Sequence, residues 1–466
     1  MSTSTPSART PLPRQIPFII GNEACERFSF YGMRNILTIF LVDYLLRSEV
    51  PDDGLRQQLP KDHFHTFVAG VYMFPLLGGF LADRFWGKYR TILWLSLVYC
   101  LGNLCLALCV GNTWGFFAGL FLIALGSGGI KPCVSAMVGD QFDDTNKHLA
   151  TKVFGAFYWS INFGSLFASL FIPVILKKWG PALAFGVPGL LMFIATAIFW
   201  AGRNLYVREP PTGPNPHSFL RVLATAWRRR KAPGGGWAGA CAAHSQRAVE
   251  GARAVLRVLL VFAPIPFFWA LFDQKASTWV LQARQMVLEV GPFTFDPSQM
   301  QFINPALVMI LIPLMEIAVY PACRRLGLDP SPLRRMVAGM FVAVLSWVAA
   351  GAVQVPIDQG VKLSILWQLG PYVLLTLAEV LVSTTGLEFA YSQAPPEMKG
   401  TLMSFWTLTV AVANLGVAKL GRFVPYTGAA LFFFYAGCCL IAAIALALIA
   451  RQYKMVDYFR RSAGSA

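Results

Sequence analysis

Twelve stretches of about twenty or more mostly apolar residues run through this 466-residue chain, near 15–46, 64–83, 90–110, 114–138, 150–176, 182–204, 254–274, 299–320, 335–354, 366–391, 402–420 and 427–450. A helix of about 20 such residues is what crossing a bilayer requires, and in lipid only helices or closed barrels satisfy their own backbone. The pattern predicts an all-α membrane protein with about twelve transmembrane helices. Composition agrees, since 56% of the residues are hydrophobic and 13% charged, more apolar surface than a water-soluble domain of this length can hide. One connection alone is long, the Pro-, Gly- and Arg-rich segment after the sixth stretch. It divides the chain into a six-helix half at 1–204, a linker at 205–253 and a second six-helix half at 254–466.

The net charge of +16 raises nucleic acid as a partner, and the location of the basic residues decides against it. They gather in alternate connections (Arg84, Lys88, Arg90; Lys147, Lys152; Arg228 to Lys231; Arg324, Arg325, Arg334, Arg335; Lys399) and in the terminal segments (Arg9, Arg14, Arg451, Lys454, Arg460, Arg461). The other connections hold a scatter, such as Arg47, Lys61, Lys177, Lys178 and Lys362. The excess of Lys and Arg on cytoplasmic loops then puts both termini and the linker in the cytoplasm of a multi-pass plasma-membrane protein. The residues MSTSTPSARTPLPRQ lack the short apolar core and small-residue cleavage site of a signal peptide, so the first apolar stretch is read as a true span.

In the linker, Phe219, Leu220, Leu223, Ala226 and Trp227 recur at helical spacing beside Arg221 and Arg228 to Arg230. That pattern suits a helix on an anionic leaflet or a basic tether. The nine cysteines form no CxxC or Cys/His spacing, and neither HExxH nor GxSxG occurs, which argues against a zinc site or a hydrolase.

Ionised side chains inside the spans carry the functional signal, because each costs about 2.5–3.5 kcal/mol at a helix centre and needs a partner, a wet cavity or a task. Taking Glu23 as zero, Glu26, Arg27, Arg34 and Tyr31 lie at about −60°, 40°, 20° and 80°, one stripe on the first helix. Glu23 and Arg27, at i and i+4, pair locally in one reading, which leaves Arg34 without an acid. Lys131 follows the small-residue run Gly126 to Gly129 in the fourth span. It lies roughly 24 Å from that span's outer end, at the depth of Glu23 to Arg27, with snorkelling to the surface as its alternative. The glycines predict close helix approach. Glu379 sits mid-span in the tenth stretch, and Glu388 faces about 180° away. His65 opens the second stretch and Asp273 closes the seventh, so both are expected at the outer surface, as a latch or as solvated helix ends. Tyr31, Tyr72, Tyr158, Trp269, Trp406, Asn162 and Asn304 complete a set that suits a zwitterionic ligand.

These same residues carry a resemblance. Glu23 to Gly32 (EACERFSFYG) resembles the ExxERFxYYG signature of the proton-coupled oligopeptide transporters, a family of the major facilitator superfamily. Phe157 to Ser165 (FYWSINFGS) is similar to that family's FYxxINxGS motif. Gly128 to Pro132, Phe268 to Gln274 and Gly386 to Gln393 add further matches, and Gly79 to Arg90 resembles the superfamily's GxLADRxGRK loop. Phe30 departs from the signature, removing one hydroxyl.

The resemblance implies a major facilitator fold of two six-helix bundles around a midplane site. It implies a proton-coupled symporter importing di- and tripeptides by alternating access, functional as a monomer, with protons as coupling ion and no cofactor. Glu23, Glu26, Arg27, Lys131 and His65 would then couple proton movement. Arg34 and Lys131 would take the peptide carboxylate, and Glu379, Asn162 and Asn304 the amino end. Tyr31, Tyr72, Tyr158, Trp269 and Trp406 would shape side-chain pockets, and Asp273 with His65 would gate the outside. The linker is too short and polar for two further spanning helices. The dozen residues from Gln354 to Leu366 leave no room for a large extracellular domain, which fits a minimal prokaryotic-type member. The competing expectation is a carrier of the same fold for nitrate or an amino-acid-like anion.

Overall fold

Helix boundaries follow from backbone chemistry along the chain. α1 (Ile16–Phe40) begins with a proline in its first turn, where no N–H is needed. α2 (Asp53–Leu81) runs through a π-helical turn at Ala82–Trp86 into α3 (Gly87–Leu108), and the chain reverses at Gly87, whose φ of +73° suits glycine. α4 (Thr113–Gly139) is capped by Asn112, whose side chain accepts the Gly115 N–H at 2.9 Å. α5 (Ala150–Trp179) and α6 (Pro181–Ala201) complete the first set. The computed structural model describes residues 12–47, 53–143, 146–211, 213, 215–231, 235–393, 395 and 398–456; the side chains of 53–57 and 147 are outside that description, as are Arg9, Arg460 and Arg461.

After two short linker helices, α7 (Phe219–Arg228) and α8 (Trp237–Cys241), the seventh crossing is α9 (Gln246–Phe262) followed by α10 (Ile265–Asp273), a turn of 3-10 helix and α11 (Thr278–Ala283). The helix on either side of the break at 263–264 is bent by 50°. The eighth is α12 (Ile303–Leu314), a π-helical turn and α13 (Tyr320–Arg325); the ninth is α14 (Pro332–Asp358). The tenth is α15 (Leu369–Glu379), a π-helical turn and α16 (Thr385–Ser392), and α17 (Lys399–Leu420) and α18 (Gly428–Gln452) finish the chain. A small antiparallel hairpin, β1 (Glu289–Val290) with β2 (Phe293–Thr294), decorates the connection after α11.

Nine helices among the described residues are long and apolar enough to cross a membrane, ten with the bent α9–α11 pair. One of the nine, Gln58–Leu108, is far longer than a single crossing needs and contains both α2 and α3. α1 has the length but carries four ionised residues, Glu23, Glu26, Arg27 and Arg34. Together these are the twelve crossings of the sequence pattern, an all-α membrane fold.

Two apolar cores divide at the linker. One gathers residues from Ile16 to Tyr206 with Ala276 and Val280 added, and the other gathers residues from Phe219 to Leu446. In the first, α4 lies close against α2 and α3 because its glycines carry no side chain: a Cβ on Gly128 would lie 2.6 Å from the Val71 carbonyl oxygen, and one on Gly126 would lie 2.7 Å from that of Leu95.

The linker departs from expectation. α7 turns Phe219, Val222 and Ala226 inward against the second core, with Phe219 edge-to-face on Phe405, so protein covers part of the face assigned to a leaflet. Leu220 and Trp227 stay exposed. At 10 and 5 residues, α7 and α8 are too short to span, and α9 starts at Gln246, inside the stretch assigned to the linker.

Candidate functional site

On α1, helical spacing gathers Glu23, Glu26 and Arg27 at one level, all buried. The Arg27 Nε lies 3.1 Å from a Glu23 oxygen and donates to Glu26, whose other oxygen accepts from Ser127 Oγ at 3.3 Å. α5 approaches this level closely because Gly164 faces it: a Cβ there would stand 2.6 Å from the Ala24 carbonyl oxygen. Lys131, from α4, faces the same cavity of about 130 Å³ as these three residues. Its ammonium rests over the rings of Tyr72 at 4.2 Å and Phe30 at 4.7 Å, and no carboxylate among the described residues lies within ion-pair distance. Such cation–π contacts contribute about 0.5–2 kcal/mol, less than a buried ion pair demands to offset desolvation.

Arg34, two turns further along α1, pairs across the molecule. Its guanidinium sits 2.6 Å from Asp273 Oδ1 on α10. The other Asp273 oxygen accepts from Asn414 Nδ2 on α17 at 2.7 Å. The Asn414 side-chain oxygen Oδ1 lies 2.6 Å from His65 Nδ1, and His65 Nε2 lies 2.9 Å from Ser277 Oγ. Five side chains from α1, α2, the α10–α11 region and α17 thus form one buried polar chain joining the two halves. Asp273 and His65 were expected at the outer surface, and both are buried. The physical reason is that polar ends belong to the helices: α2 begins twelve residues before His65, and the seventh crossing continues ten residues past Asp273 to Ala283.

Beside this chain lies a second cavity of about 190 Å³. Arg34, Tyr31, Tyr72, Tyr158, Asn162, Trp269, Asn304 and Glu379 line it together, and Lys131 lines the first cavity instead. Asn304 Nδ2 donates to Glu379 at 2.5 Å, and Asn162 Nδ2 is committed to the Tyr158 carbonyl at 3.0 Å. Trp406 does not line it. Its ring fills the space over Gly386, where a Cβ would meet it at 2.1 Å, and packs edge-to-face behind Trp269. Glu388 points elsewhere and pairs with Arg335 at 2.7 Å, in keeping with its opposite face.

Sequence reasoning missed two members. Lys275 is 4% exposed, lines the second cavity and donates to Asn304 Oδ1 at 2.7 Å. It lay one residue past the stretch taken to end at 274, so it passed for a loop lysine. Asn414 carries no charge and drew no attention, although an amide in the middle of an apolar span was a readable signal.

The hydrogen bonds and ion pairs between halves described here gather at one end of the molecule. Thr38 Oγ1 donates to the Ala276 carbonyl at 2.7 Å and Gln301 Nε2 to that of Asn35 at 3.3 Å, while Arg284 pairs with Asp43 at 2.6 Å and Arg422 with Asp62 at 2.7 Å. That end is closed.

Comparison with known proteins adds the decisive observation. The model of the PTR2 or POT family matches residues 89–424. The chain belongs to the POT family. A crystal structure of an auto-inhibited POT family peptide transporter is 49% identical and superposes with a TM-score of 0.91, covering 96% of this chain and 98% of that one. The structure of the POT family transporter PepTSo, also 49% identical, gives 0.88 over 95% and 99%. Peptide transporter 3 of Caenorhabditis elegans and human solute carrier family 15 member 2 are each 38% identical over 74% of this chain. The chain spans about half the length of these curated relatives, 51% and 50%. This POT-family chain is therefore similar to transporters and not to enzymes.

Proposed function

We propose that the chain is a proton-coupled symporter that imports di- and tripeptides by alternating access. We place it in the plasma membrane with both termini cytoplasmic, and assign residues 1–204 and 254–466 to the two rocking halves and 205–253 to the linker, whose last residues from Gln246 already belong to α9. The observation that carries the reading is the second cavity, whose lining combines Arg34 and Glu379 with amides and tyrosines. A peptide offers a carboxylate, an ammonium and a backbone to match. Lys275 on Asn304 is an internal ammonium beside the site for the peptide's amino end, which the ligand displaces on binding.

Coupling is assigned to the α1 cluster. A proton on Glu26 or Glu23 leaves Arg27 with one carboxylate in place of two and removes a negative charge from the cavity that Lys131 lines, making it more positive for the substrate carboxylate. His65, enclosed by Asn414 and Ser277, serves the outer gate with Asp273 and is a second entry point for the proton. The substrate anion also competes with Asp273 for Arg34, so binding and gate release are one exchange of partners. Moving one charge inward supplies about 2.3 kcal/mol per 100 mV, about a fiftyfold accumulation of a neutral peptide with one proton. The support from the POT family relatives is similarity to peptide transporters.

The test is uptake of a labelled dipeptide into liposomes holding the purified chain. An imposed inward proton gradient should drive accumulation well above the external concentration, in competition with unlabelled di- and tripeptides. Uptake that follows the gradient for nitrate but not for peptide would contradict the reading.

A further inference from the structure

At the end of the molecule carrying the linker, a cavity of about 940 Å³ opens between the start of α14 and the end of α18. Arg334, Val337, Ala338 and Phe341 reach it from one face of α14, at i, i+3, i+4 and i+7, and Ala447, Ala450 and Arg451 reach it from one face of α18. The two helices pack together elsewhere, and here three alanines leave the space between them unfilled. The result is a slot with an arginine on each helix at its mouth and an apolar floor about 10 Å deeper, the rise from Arg334 to Phe341. The neighbouring faces of α14 and α18 expose Leu345, Val348, Ile441, Ile444 and Leu448, so the slot opens toward lipid.

The charges at the mouth are incompletely balanced. Asp329 lies 3.7 Å from Arg334, but both side chains are about two-thirds exposed, and such a solvated pair is worth about 0–1 kcal/mol. Arg451 has no ion-pair partner among the described residues, and the Ser331 side chain makes no bond to the helix it precedes. Two guanidiniums over an apolar slot match a molecule that carries a phosphate and an acyl chain. A free phosphate would leave the slot empty, and a neutral lipid would leave the arginines unsatisfied.

We propose that this cavity binds an anionic phospholipid of the adjacent leaflet, its phosphodiester between Arg334 and Arg451 and one acyl chain along Val337 and Phe341. In the orientation proposed above that leaflet is the cytoplasmic one. The site is separate from the peptide cavity and uses none of its residues.

Native mass spectrometry of the purified full-length chain tests it, with dioleoylphosphatidylglycerol, dioleoylphosphatidylcholine and inorganic phosphate added separately and in competition. Phosphatidylglycerol should be retained at least tenfold more than phosphatidylcholine, and phosphate should not displace it. The exposed double substitution Arg334→Gln/Arg451→Gln should bring phosphatidylglycerol down to the phosphatidylcholine level with the thermal unfolding midpoint unchanged. Ala450→Leu, which keeps both arginines and narrows the slot, should lower retention of both lipids. Equal retention of the two lipids by the parent chain would overturn the proposal, as would indifference to the arginine substitutions or displacement of lipid by inorganic phosphate.

Discussion

Two buried charge clusters share α1 and are built in opposite ways. Glu23 and Glu26 both pair with Arg27 within about one turn of a single helix, and Ser127 donates to Glu26. Arg34, about two turns beyond Arg27, finds its acid at Asp273, 239 residues along the chain and in the other half. The first cluster keeps its partners whatever the two halves do. The second exists only while the halves are together at that end, and separating them returns a guanidinium and a carboxylate to unpaired states. The proposed function divides along the same helix, assigning the main coupling carboxylates to the cluster with local partners and the gate to the one with remote partners.

Breaking the remote cluster should have the largest effect. Asp273→Ala leaves the Arg34 guanidinium buried without a partner, a cost of about 3–5 kcal/mol to the closed state. Labelling of a cysteine placed behind the gate from the outer side should rise by two orders of magnitude or more. The double substitution Arg34→Ala/Asp273→Ala should restore much of the protection, and equal exposure in single and double variants would remove the pair from the gate.

Glu379→Gln sharpens the comparison from the other half, where a carboxylate lines the second cavity. A charge-assisted hydrogen bond contributes about 1.5–3 kcal/mol, so the KM for a dipeptide should rise about tenfold to a hundredfold. A substrate without an ammonium should be unaffected, and an equal change for both would separate Glu379 from the amino end. The smallest effect belongs to the exposed rim, where Arg284→Gln removes a solvated pair between halves. Such pairs are worth about 0.2–1 kcal/mol, so outer-side labelling should rise no more than about fivefold and the rise should vanish at high salt. An effect as large as that of Asp273→Ala would move the gate outward to the rim.

What the sequence disclosed follows the same division. Spans, the 3.6-residue stripe on α1 and the glycine run of α4 are local patterns, and all are seen in the folded chain. Glu379 and Glu388 separate as their spacing required, one into the cavity and one onto Arg335. The partner of Arg34 was not legible, because no periodicity relates residues 239 positions apart. His65 and Asp273 were misplaced in depth, and Lys275 was passed over, for a different reason. Hydropathy ends a span at its first polar residues, whereas the backbone continues the helix wherever those residues find partners inside the protein, as they do here with Asn414, Arg34 and Asn304. Trp406 was assigned to the cavity by its type, and the missing side chain at Gly386 drew it into the core.

The central claim is that the α1 carboxylates carry the coupling proton, and Glu26→Gln in liposomes tests it most directly. Driven accumulation of a labelled dipeptide and counterflow at equal pH should be measured on the same preparation. The account predicts that the variant loses accumulation, from about fiftyfold per 100 mV to about one, while counterflow persists because binding and rocking remain. Accumulation that survives in Glu26→Gln and in Glu23→Gln alike would contradict it.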